Sequence, residues 1–238
     1  MTDLVALFEL QEHDSAIAAL SSQRVHLPGR AELDGVLRSG QIAHEQLGAV
    51  RGRRDELHRS LKLLDDQTHT AAAKVKAVND RLYSGKVTAT RELQDLQADL
   101  DNSERHLGEL EDREIELMVE VEQVDAEVIA AETILADLAK NVETLRGSIA
   151  QSEVEIDNQI SAIGLLRTES ARTLPPELVA DYERRRELNR GVGAALLIGN
   201  TCQGCRLTIP AVEASELHAD KSGQVFSCDN CGAILVVR

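Results

Sequence analysis

Four cysteines are the residues of this chain whose spacing most directly indicates chemistry. Cys202 and Cys205 form one C-x-x-C pair, and Cys228 and Cys231 form a second. Two such pairs bring four thiolates within tetrahedral reach of one ion, and each pair wraps the metal in a tight turn whose backbone N–H groups can point at the sulfurs. All four cysteines of the chain are used in this way. The pattern predicts one bound Zn²⁺; a disulfide pair or a redox dithiol is the alternative.

Four thiolates fill the coordination sphere of zinc and leave no position for an activated water. We therefore expect the ion to be structural. The seven histidines of the sequence form no close constellation and no Gly-rich phosphate loop is present, so we expect the protein not to be an enzyme. Removal of the ion should unfold residues 191–238 and leave the helical signal of the rest largely intact. Gly204 and Gly232 lie in the two metal-binding turns, where we expect tight turns that need positive φ.

Short apolar runs flank the cysteines and predict the strands of a small zinc ribbon. They cover residues 194–198 before the first pair and residues 233–237 after the second. Upstream, Leu174-Pro175-Pro176 marks a boundary, and proline suits the first position of a short helix that continues to about Asn189. We predict three regions along the chain: a kinked antiparallel coiled-coil hairpin over 1–173, a connecting helix over 174–190 and a C4 zinc ribbon over 191–238.

The segment before the ribbon carries the 3–4 apolar spacing of a coiled coil. In the first arm, twelve of fifteen seam positions are apolar, and in the second arm 18 of 22 are. The first seam is Leu33, Val36, Gly40, Ala43, Leu47, Val50, Arg54, Leu57, Leu61, Leu64, Thr68, Ala71, Val75, Val78 and Leu82. The second is Leu93, Leu96, Leu100, Ser103, Leu107, Leu110, Glu114, Leu117, Val121, Val124, Val128, Ala131, Leu135, Leu138, Val142, Leu145, Ile149, Ser152, Ile156, Gln159, Ile163 and Leu166. A 3.5-residue period keeps such a stripe against a partner helix.

The two arms flank Ser84-Gly85-Lys86, where Gly85 can end a helix in the left-handed conformation. The predicted fold is therefore mainly α: a long antiparallel coiled-coil hairpin, with its tip near 83–88, followed by a small C-terminal β zinc ribbon. Pro28-Gly29 should kink or break the first arm after a helix over roughly residues 3–26. A parallel dimer, in which each long helix pairs with another chain, is the alternative.

Polar residues in the two seams predict a register. In an antiparallel hairpin, residues equidistant from the tip face one another. Thr68 with Ser103, and Arg54 with Glu114, are both centred near Gly85. We expect each pair to be in proximity and to fix the register at some cost in stability.

The charge distribution limits the choice of partners. The chain has a net charge of −15, and residues 90–170 alone hold 21 Asp and Glu against 6 Lys and Arg. A polyacidic helix repels phosphate backbones. The candidate nucleic-acid contacts are instead the cations at and before the ribbon: Arg184, Arg185, Arg186, Arg190 and Arg206. A solvated helix face with local ion pairs is the alternative for this cluster.

The N-terminal residues lack the charged and apolar regions of a signal peptide, and no apolar run is long enough to span a bilayer. We expect a cytoplasmic protein, with reduced thiols, that does not associate with a membrane. Tyr83 and Lys86 at the tip are candidate contacts for a protein partner; their alternative role is turn formation.

Several segments resemble a known bacterial family of coiled-coil proteins with a C-terminal C4-type zinc ribbon. They are Leu82-Tyr83-Ser84-Gly85-Lys86-Val87-Thr88, Glu92-Leu93-Gln94, Leu174-Pro175-Pro176-Glu177-Leu178, Tyr182-Glu183-Arg184, Cys202-x-Gly204-Cys205, Cys228-x-x-Cys231-Gly232 and Ile234-Leu235. The resemblance implies a kinked hairpin with a zinc ribbon, and a function in nucleic-acid binding or as an adaptor or regulator of protein partners. Ala233 and Val236 depart from the arginine and tyrosine common in that family, which weakens the transfer of nucleic-acid contacts.

Taken with the residues, this resemblance leads us to expect a non-catalytic adaptor or regulatory protein without a small-molecule substrate. It would engage macromolecular partners through its ribbon and its hairpin. Binding of RNA or DNA through the ribbon and the Arg184–Arg190 cluster is the alternative.

Overall fold

The computed structural model describes residues 2–220 and 224–237, and it confirms the predicted fold class: a long helical hairpin with a small C-terminal strand region. The elements in chain order are α1 (Thr2–Val25), α2 (Pro28–Leu82), α3 (Thr90–Arg172), α4 (Pro176–Leu188), β1 (Ala194–Ile198), β2 (Thr201–Cys202), α5 (Ala211–Ala219), β3 (Phe226–Ser227) and β4 (Ile234–Val236). Within the described ranges, no helix is apolar over a length that could cross a bilayer.

The break between α1 and α2 lies where Pro28 predicts it. Helix α1 ends at Val25, and Pro28 is the first residue of α2. At that position the missing N–H of proline costs nothing, because the first N–H groups of a helix have no partner within the helix. The same residue that interrupts the first arm therefore also starts the next helix.

The chain forms two compact units. One comprises residues 33–144, and we call it the hairpin unit; the other comprises residues 1–32 and 145–238, and we call it the ribbon unit. The hairpin unit holds most of α2 and α3 with the turn between them. The ribbon unit holds α1, the remaining ends of α2 and α3, and everything from α4 onward.

The hairpin unit is stabilised by the predicted seams. Every seam position of α2 from Leu33 to Leu82, and every seam position of α3 from Leu93 to Val142, is buried or half-buried. Val124 is fully buried at the centre of its helix. Burial of one such aliphatic side chain contributes about 1.5–3 kcal/mol, so the seam is the main stabilising feature of this unit.

The predicted register of the hairpin is wrong. Near the tip, Arg81 pairs with Glu92 at 3.0 Å, a pair centred on 86.5, but further along Arg51 pairs with Glu132 at 2.6 Å, a pair centred on 91.5. Arg54 binds its neighbour Asp55 at 2.8 Å and lies in the field of Asp125 and Glu132. Asp125 is eleven residues beyond Glu114, about 16 Å along a helix, which is more than two turns.

The other polar pair also fails to form. Thr68 donates to the carbonyl of Leu64 in its own helix at 3.0 Å. Ser103 lies beside Ala71 and Lys74, and among the described residues its buried hydroxyl has no hydrogen-bond partner. Thr68 and Arg54 both find partners within their own helix, so neither has to meet the predicted residue of the other arm.

The α3 seam shifts by one residue inside the ribbon unit. Ile156 is buried as predicted, but Gln159 and Leu166 are exposed, and Ile160 and Arg167 take the half-buried positions instead. Leu166 is 57% exposed. Two successive four-residue steps replace the expected 3–4 alternation, which is how a straight helix drifts from a heptad repeat.

The ribbon is a four-stranded sheet with the order β2-β1-β4-β3. Its two central strands, β1 and β4, are parallel, with Ala194 opposite Ile234, and both outer pairings are antiparallel. One group of its side chains packs with Leu7, Leu10 and Tyr182 of the helices. The other packs with the cysteines and with α5, a helix that the sequence analysis did not predict.

Candidate metal centre

The four cysteine sulfurs lie together in the ribbon, all within 4.8 Å of one another. Sγ of Cys202 is 3.9 Å from Sγ of Cys231, and Sγ of Cys205 is 3.8 Å from Sγ of Cys228. A tetrahedral zinc ion with Zn–S bonds of about 2.3 Å requires sulfurs about 3.8 Å apart, whereas a disulfide requires about 2.05 Å. The donor set therefore fits one structural Zn²⁺ and not a disulfide.

The two cysteine pairs sit in turns with the same hydrogen-bond pattern. The N–H of Cys202 donates to the carbonyl of Leu207 at 3.0 Å, and the N–H of Arg206 donates back to the carbonyl of Cys202 at 2.8 Å. In the second turn, the N–H of Cys228 donates to Ala233 at 2.9 Å, and the N–H of Gly232 donates to Cys228 at 2.7 Å. The sheet thus presents two equivalent metal-binding knuckles to one ion.

The left-handed residue of each knuckle directly follows its second cysteine. Gly232 has φ 71°, and Arg206 has φ 64° at the matching position. The expectation of positive φ is therefore correct for Gly232 and wrong for Gly204. A side chain at position 204 would instead be crowded, because its Cβ would lie 3.0 Å from Cβ of Ala195.

Backbone N–H groups point at the sulfurs. The sulfur of Cys202 accepts from Gly204 and Cys205, although burial dominates and raises the pKa of this thiol. The N–H of Leu207 lowers the pKa of Cys205. Burial raises the pKa of Cys231 to about 12, against the hydrogen bond from Ala233. Buried thiolates of this kind need a cation beside them, and zinc supplies it.

Gln11 of α1 binds the backbone where the ribbon begins. Its Oε1 accepts from the N–H groups of Gly193 at 2.6 Å and Ala194 at 3.1 Å, and its Nε2 donates to the carbonyl of Gly191 at 3.0 Å. The side chain is 4% exposed. One amide therefore satisfies three backbone groups at the start of β1 and positions the strand that leads to the first knuckle.

Tyr182 of α4 packs against the same segment and is fully buried. A Cβ on Gly193 would lie 2.6 Å from its ring, so only glycine fits there. Its hydroxyl donates to Oδ2 of Asp14 at 2.7 Å, and burial raises the pKa of the phenol above its usual value. Arg167 of α3 donates to the same carboxylate, Nε to Oδ1, at 2.7 Å. Three helices therefore meet at Asp14.

Most arginines of the cluster before the ribbon form ion pairs or hydrogen bonds within the chain. Arg185 donates to Asp181 at 2.7 Å and to the carbonyl of Gly232 at 2.6 Å, so it links α4 to the second knuckle. Arg186 binds Glu183 at 3.0 Å and Asp14 at 3.3 Å, and Arg184 pairs with Asp181. Local ion pairs, the alternative weighed for this cluster, are thus present.

The remaining candidate contacts are exposed. Arg190 has φ 53°, and Arg206 donates to Oε1 of Gln203 at 3.1 Å. Burial of Asp181 would raise its pKa, but the hydrogen bonds from Arg184 and Arg185 outweigh that effect and hold the pKa below its usual value. The Asp181 carboxylate therefore offsets the charge of Arg184 and Arg185, which a phosphate would otherwise contact.

The hairpin turn presents Tyr83 and Lys86 to solvent. Tyr83 is 74% exposed. Gly85 adopts φ 72°, as predicted, and the Ser84 hydroxyl donates to the carbonyl of Arg81 at 2.7 Å while accepting from the N–H of Lys86 at 3.3 Å. The turn is thus held by backbone and serine contacts, which leaves the Tyr83 ring free of the fold.

Sequence reasoning missed the residues that join the ribbon to the helices: Gln11, Asp14 and Arg167. Of these three residues, only Arg167 carried a signal, which was its position next to Leu166. A long cationic side chain beside a seam residue can occupy the seam position when the seam shifts by one residue. Gln11 and Asp14 carried no signal, because polar residues within a helix are usually solvated.

Comparison with known proteins gives two matches along the chain. Residues 10–190 match the CT398-like coiled coil hairpin domain, and residues 201–235 match the C4-type zinc ribbon domain. A Mycobacterium tuberculosis protein is 28% identical over 232 residues, which cover 97% of this chain and 94% of that protein. A Mycobacterium leprae protein is 26% identical over 226 residues, covering 93% and 94%.

Two solved structures share the fold. A Mycobacterium smegmatis protein superposes with a TM-score of 0.65 at 24% identity and 98% coverage of both chains. CT398 from Chlamydia trachomatis superposes with a TM-score of 0.63 at 17% identity, covering 99% of this chain and 97% of its own. The resemblance stated from the sequence motifs is thereby confirmed.

Proposed function

This chain belongs to the CT398-like coiled coil hairpin family and carries a C4-type zinc ribbon, and from this premise we propose that it is a non-catalytic adaptor that binds a protein partner through its ribbon and its hairpin. The zinc site supports the non-catalytic part of the proposal. Four sulfurs occupy every position of a tetrahedral ion, so no substrate or water can reach the metal.

The exposed surface of the ribbon carries the proposal. Ile198, Leu207 and Val212 are 60%, 53% and 73% exposed. Residues 191–238 contain three Lys and Arg, namely Arg206, Lys221 and Arg238, against four Asp and Glu. Exposed aliphatic groups are typical of surfaces that become buried against a protein partner, whereas binding to a phosphate backbone requires several cations. The composition of this surface favours a protein partner.

The arginines at the end of α4 support the same choice. Arg185 and Arg186 are held by carboxylates within the chain, at 2.7 Å and 3.0 Å. A phosphate would have to displace those partners before it could bind. Tyr83 adds a second contact point in the hairpin unit, because an exposed tyrosine buries a large ring at little entropic cost.

Affinity capture with the full-length, zinc-loaded protein tests the proposal. We compare the wild type with Leu207→Glu/Val212→Glu on the ribbon and with Val154→Glu/Leu165→Glu on α3, whose side chains are 59% and 75% exposed. Both double variants add the same charge. Each capture is performed with and without nuclease.

A partner that survives nuclease and is lost only from the ribbon variant supports the adaptor. A third variant, Arg184→Glu/Arg190→Glu, tests nucleic-acid binding. Recovery of RNA or DNA that is lost after nuclease treatment and is also lost from this variant would overturn the adaptor proposal in favour of nucleic-acid binding. Capture that is the same for all variants would also overturn a role for the ribbon.

A further inference from the structure

A second apolar stripe runs along α3 in the hairpin unit, separate from the seam. Ile115, Met118, Val119 and Ile129 are 62%, 47%, 60% and 64% exposed. Together with Ala126 and Ala130, which are also exposed, they recur at three-, four- and seven-residue steps, so they share one face about 120° wide. We call these six residues the outer stripe.

The outer stripe lies on the side of α3 that does not face α2. The seam residues of the same segment, among them Leu117, Val121, Val124 and Val128, are buried or half-buried against the other arm. At 100° per residue, the centres of the two stripes are about 150° apart. Packing of the seam against α2 therefore leaves the outer stripe exposed to solvent. The outer stripe is apolar surface that the hairpin does not need for its own folding.

The charge that α3 itself places around the outer stripe is of one sign. Residues 114–139 contain eight Asp and Glu and no Lys or Arg. Arg51, Arg53 and His58 of α2 pair with Glu132, Glu127 and Asp125. In the part of the chain that the structure describes, no ion pair involves Glu116, Glu120 or Glu122, and Glu122 lies in the middle of the stripe by its spacing.

We propose that the outer stripe binds an amphipathic helix of the partner protein whose apolar face is flanked by lysine or arginine. This inference rests on the proposed adaptor function and specifies the partner's chemistry. An apolar stripe at helical spacing matches the i, i+3, i+4, i+7 anchors of a helix, and unpaired carboxylates beside it match cationic flanks. The stripe is about 22 Å long, which suits a partner helix of about 16 residues.

A second copy of this chain is a poorer occupant. Two outer stripes face to face would bring the carboxylates of residues 114–139 from both chains together without a single cation from the same segment. Like charges across an interface disfavour association by several-fold or more. A basic helix removes that repulsion and replaces it with attraction.

Synthetic helical peptides provide the probe. One labelled peptide has leucines at seam spacing with flanking lysines, the second has glutamate in place of every lysine, and the third keeps the composition of the first in scrambled order. Binding to the full-length, zinc-loaded protein is measured by fluorescence anisotropy at low and at moderate salt. The scrambled peptide separates a general attraction to an acidic protein from binding to an apolar stripe.

Two triple variants complete the design. Ile115→Gln/Val119→Gln/Ile129→Gln removes the outer stripe, and Leu37→Gln/Ile42→Gln/Leu63→Gln removes exposed apolar groups of α2, which are 44%, 57% and 61% exposed. Glutamine preserves helix propensity, and circular dichroism checks that both variants are folded. We expect the lysine peptide to bind the wild type and the α2 variant equally and the outer-stripe variant about tenfold or more weakly.

Other results would overturn the proposal. These are undetectable binding of the lysine peptide, equal binding of the scrambled or glutamate peptide, equal binding to the outer-stripe variant, or a wild-type dimer that this variant converts to a monomer. Each of them leaves the capture experiment on the ribbon variant unaffected. Failure of the stripe is therefore distinguishable from failure of the adaptor function.

Discussion

The hydroxyl of Tyr182 lies 2.7 Å from Oδ2 of Asp14, across 168 positions of the sequence. This hydrogen bond joins α4 to α1 within the ribbon unit. Arg167 of α3 binds the same carboxylate, and Gly193 packs directly against the Tyr182 ring. The start of the ribbon is therefore fixed by contacts with α1, α3 and α4, and the stability of the ribbon is coupled to that of these helices.

Tyr182→Phe should destabilise the ribbon unit by about 1.5–3 kcal/mol, because the substitution removes a buried hydrogen bond to a carboxylate without removing the ring. Chemical denaturation of the zinc-loaded protein measures the change. Tyr83→Phe is the matched control, since Tyr83 is 74% exposed. Equal stability of the two variants would show that the hydroxyl of Tyr182 does not contribute.

Gln11→Leu should destabilise the ribbon unit by about 2–6 kcal/mol. The leucine preserves volume but leaves the buried N–H groups of Gly193 and Ala194 without their acceptor, and each unsatisfied group costs about 1–3 kcal/mol. Thermal unfolding reports the loss. Gln41→Leu, at an exposed position of α2, should change stability by less than about 0.5 kcal/mol; a comparable loss there would contradict a specific role for Gln11.

Arg206→Gly should stabilise the ribbon by about 0.5–1 kcal/mol. Arg206 has φ 64°, at the position that Gly232 occupies in the other knuckle, and glycine adopts this conformation without strain. Arg206→Ala is the control, because it removes the same charge and retains the Cβ. We expect a higher denaturation midpoint for the glycine variant alone; an equal gain for the alanine variant would attribute the effect to the lost charge.

The hairpin could be predicted from sequence because its seams depend on a local period. Each seam position of the first arm is predicted to be buried, because a heptad repeat places each residue relative to its neighbours without reference to the rest of the fold. The four zinc ligands were predicted for a similar reason: their spacing within each knuckle is itself the binding geometry.

The failures concern residues whose position depends on distant partners. Leu166 is apolar and in register, yet Arg167 takes the half-buried position because Asp14 lies nearby to accept its hydrogen bonds. Arg54 finds Asp55 beside it and does not reach Glu114. The sequence does not predict helix α5, because only two of its residues, Ala214 and Leu217, are buried, which is too few to show a period.

Removal of zinc should loosen more than the ribbon itself. Since β1 and β4 pack with Leu7 and Leu10, we expect chelation to increase hydrogen exchange over residues 4–14 as well as 191–237. Residues 33–144 belong to the other unit and should keep their protection. Protection of residues 4–14 that is unchanged in the apo-protein would contradict the coupling between α1 and the ribbon.

Zinc K-edge X-ray absorption of the purified full-length protein tests the central claim most directly. The arrangement of Cys202, Cys205, Cys228 and Cys231, with sulfurs within 4.8 Å, predicts one zinc per chain with four sulfur ligands at about 2.3 Å. A spectrum with nitrogen or oxygen in the first shell, or a protein without stoichiometric zinc, would contradict a closed structural site and with it the proposed non-catalytic role of the ribbon.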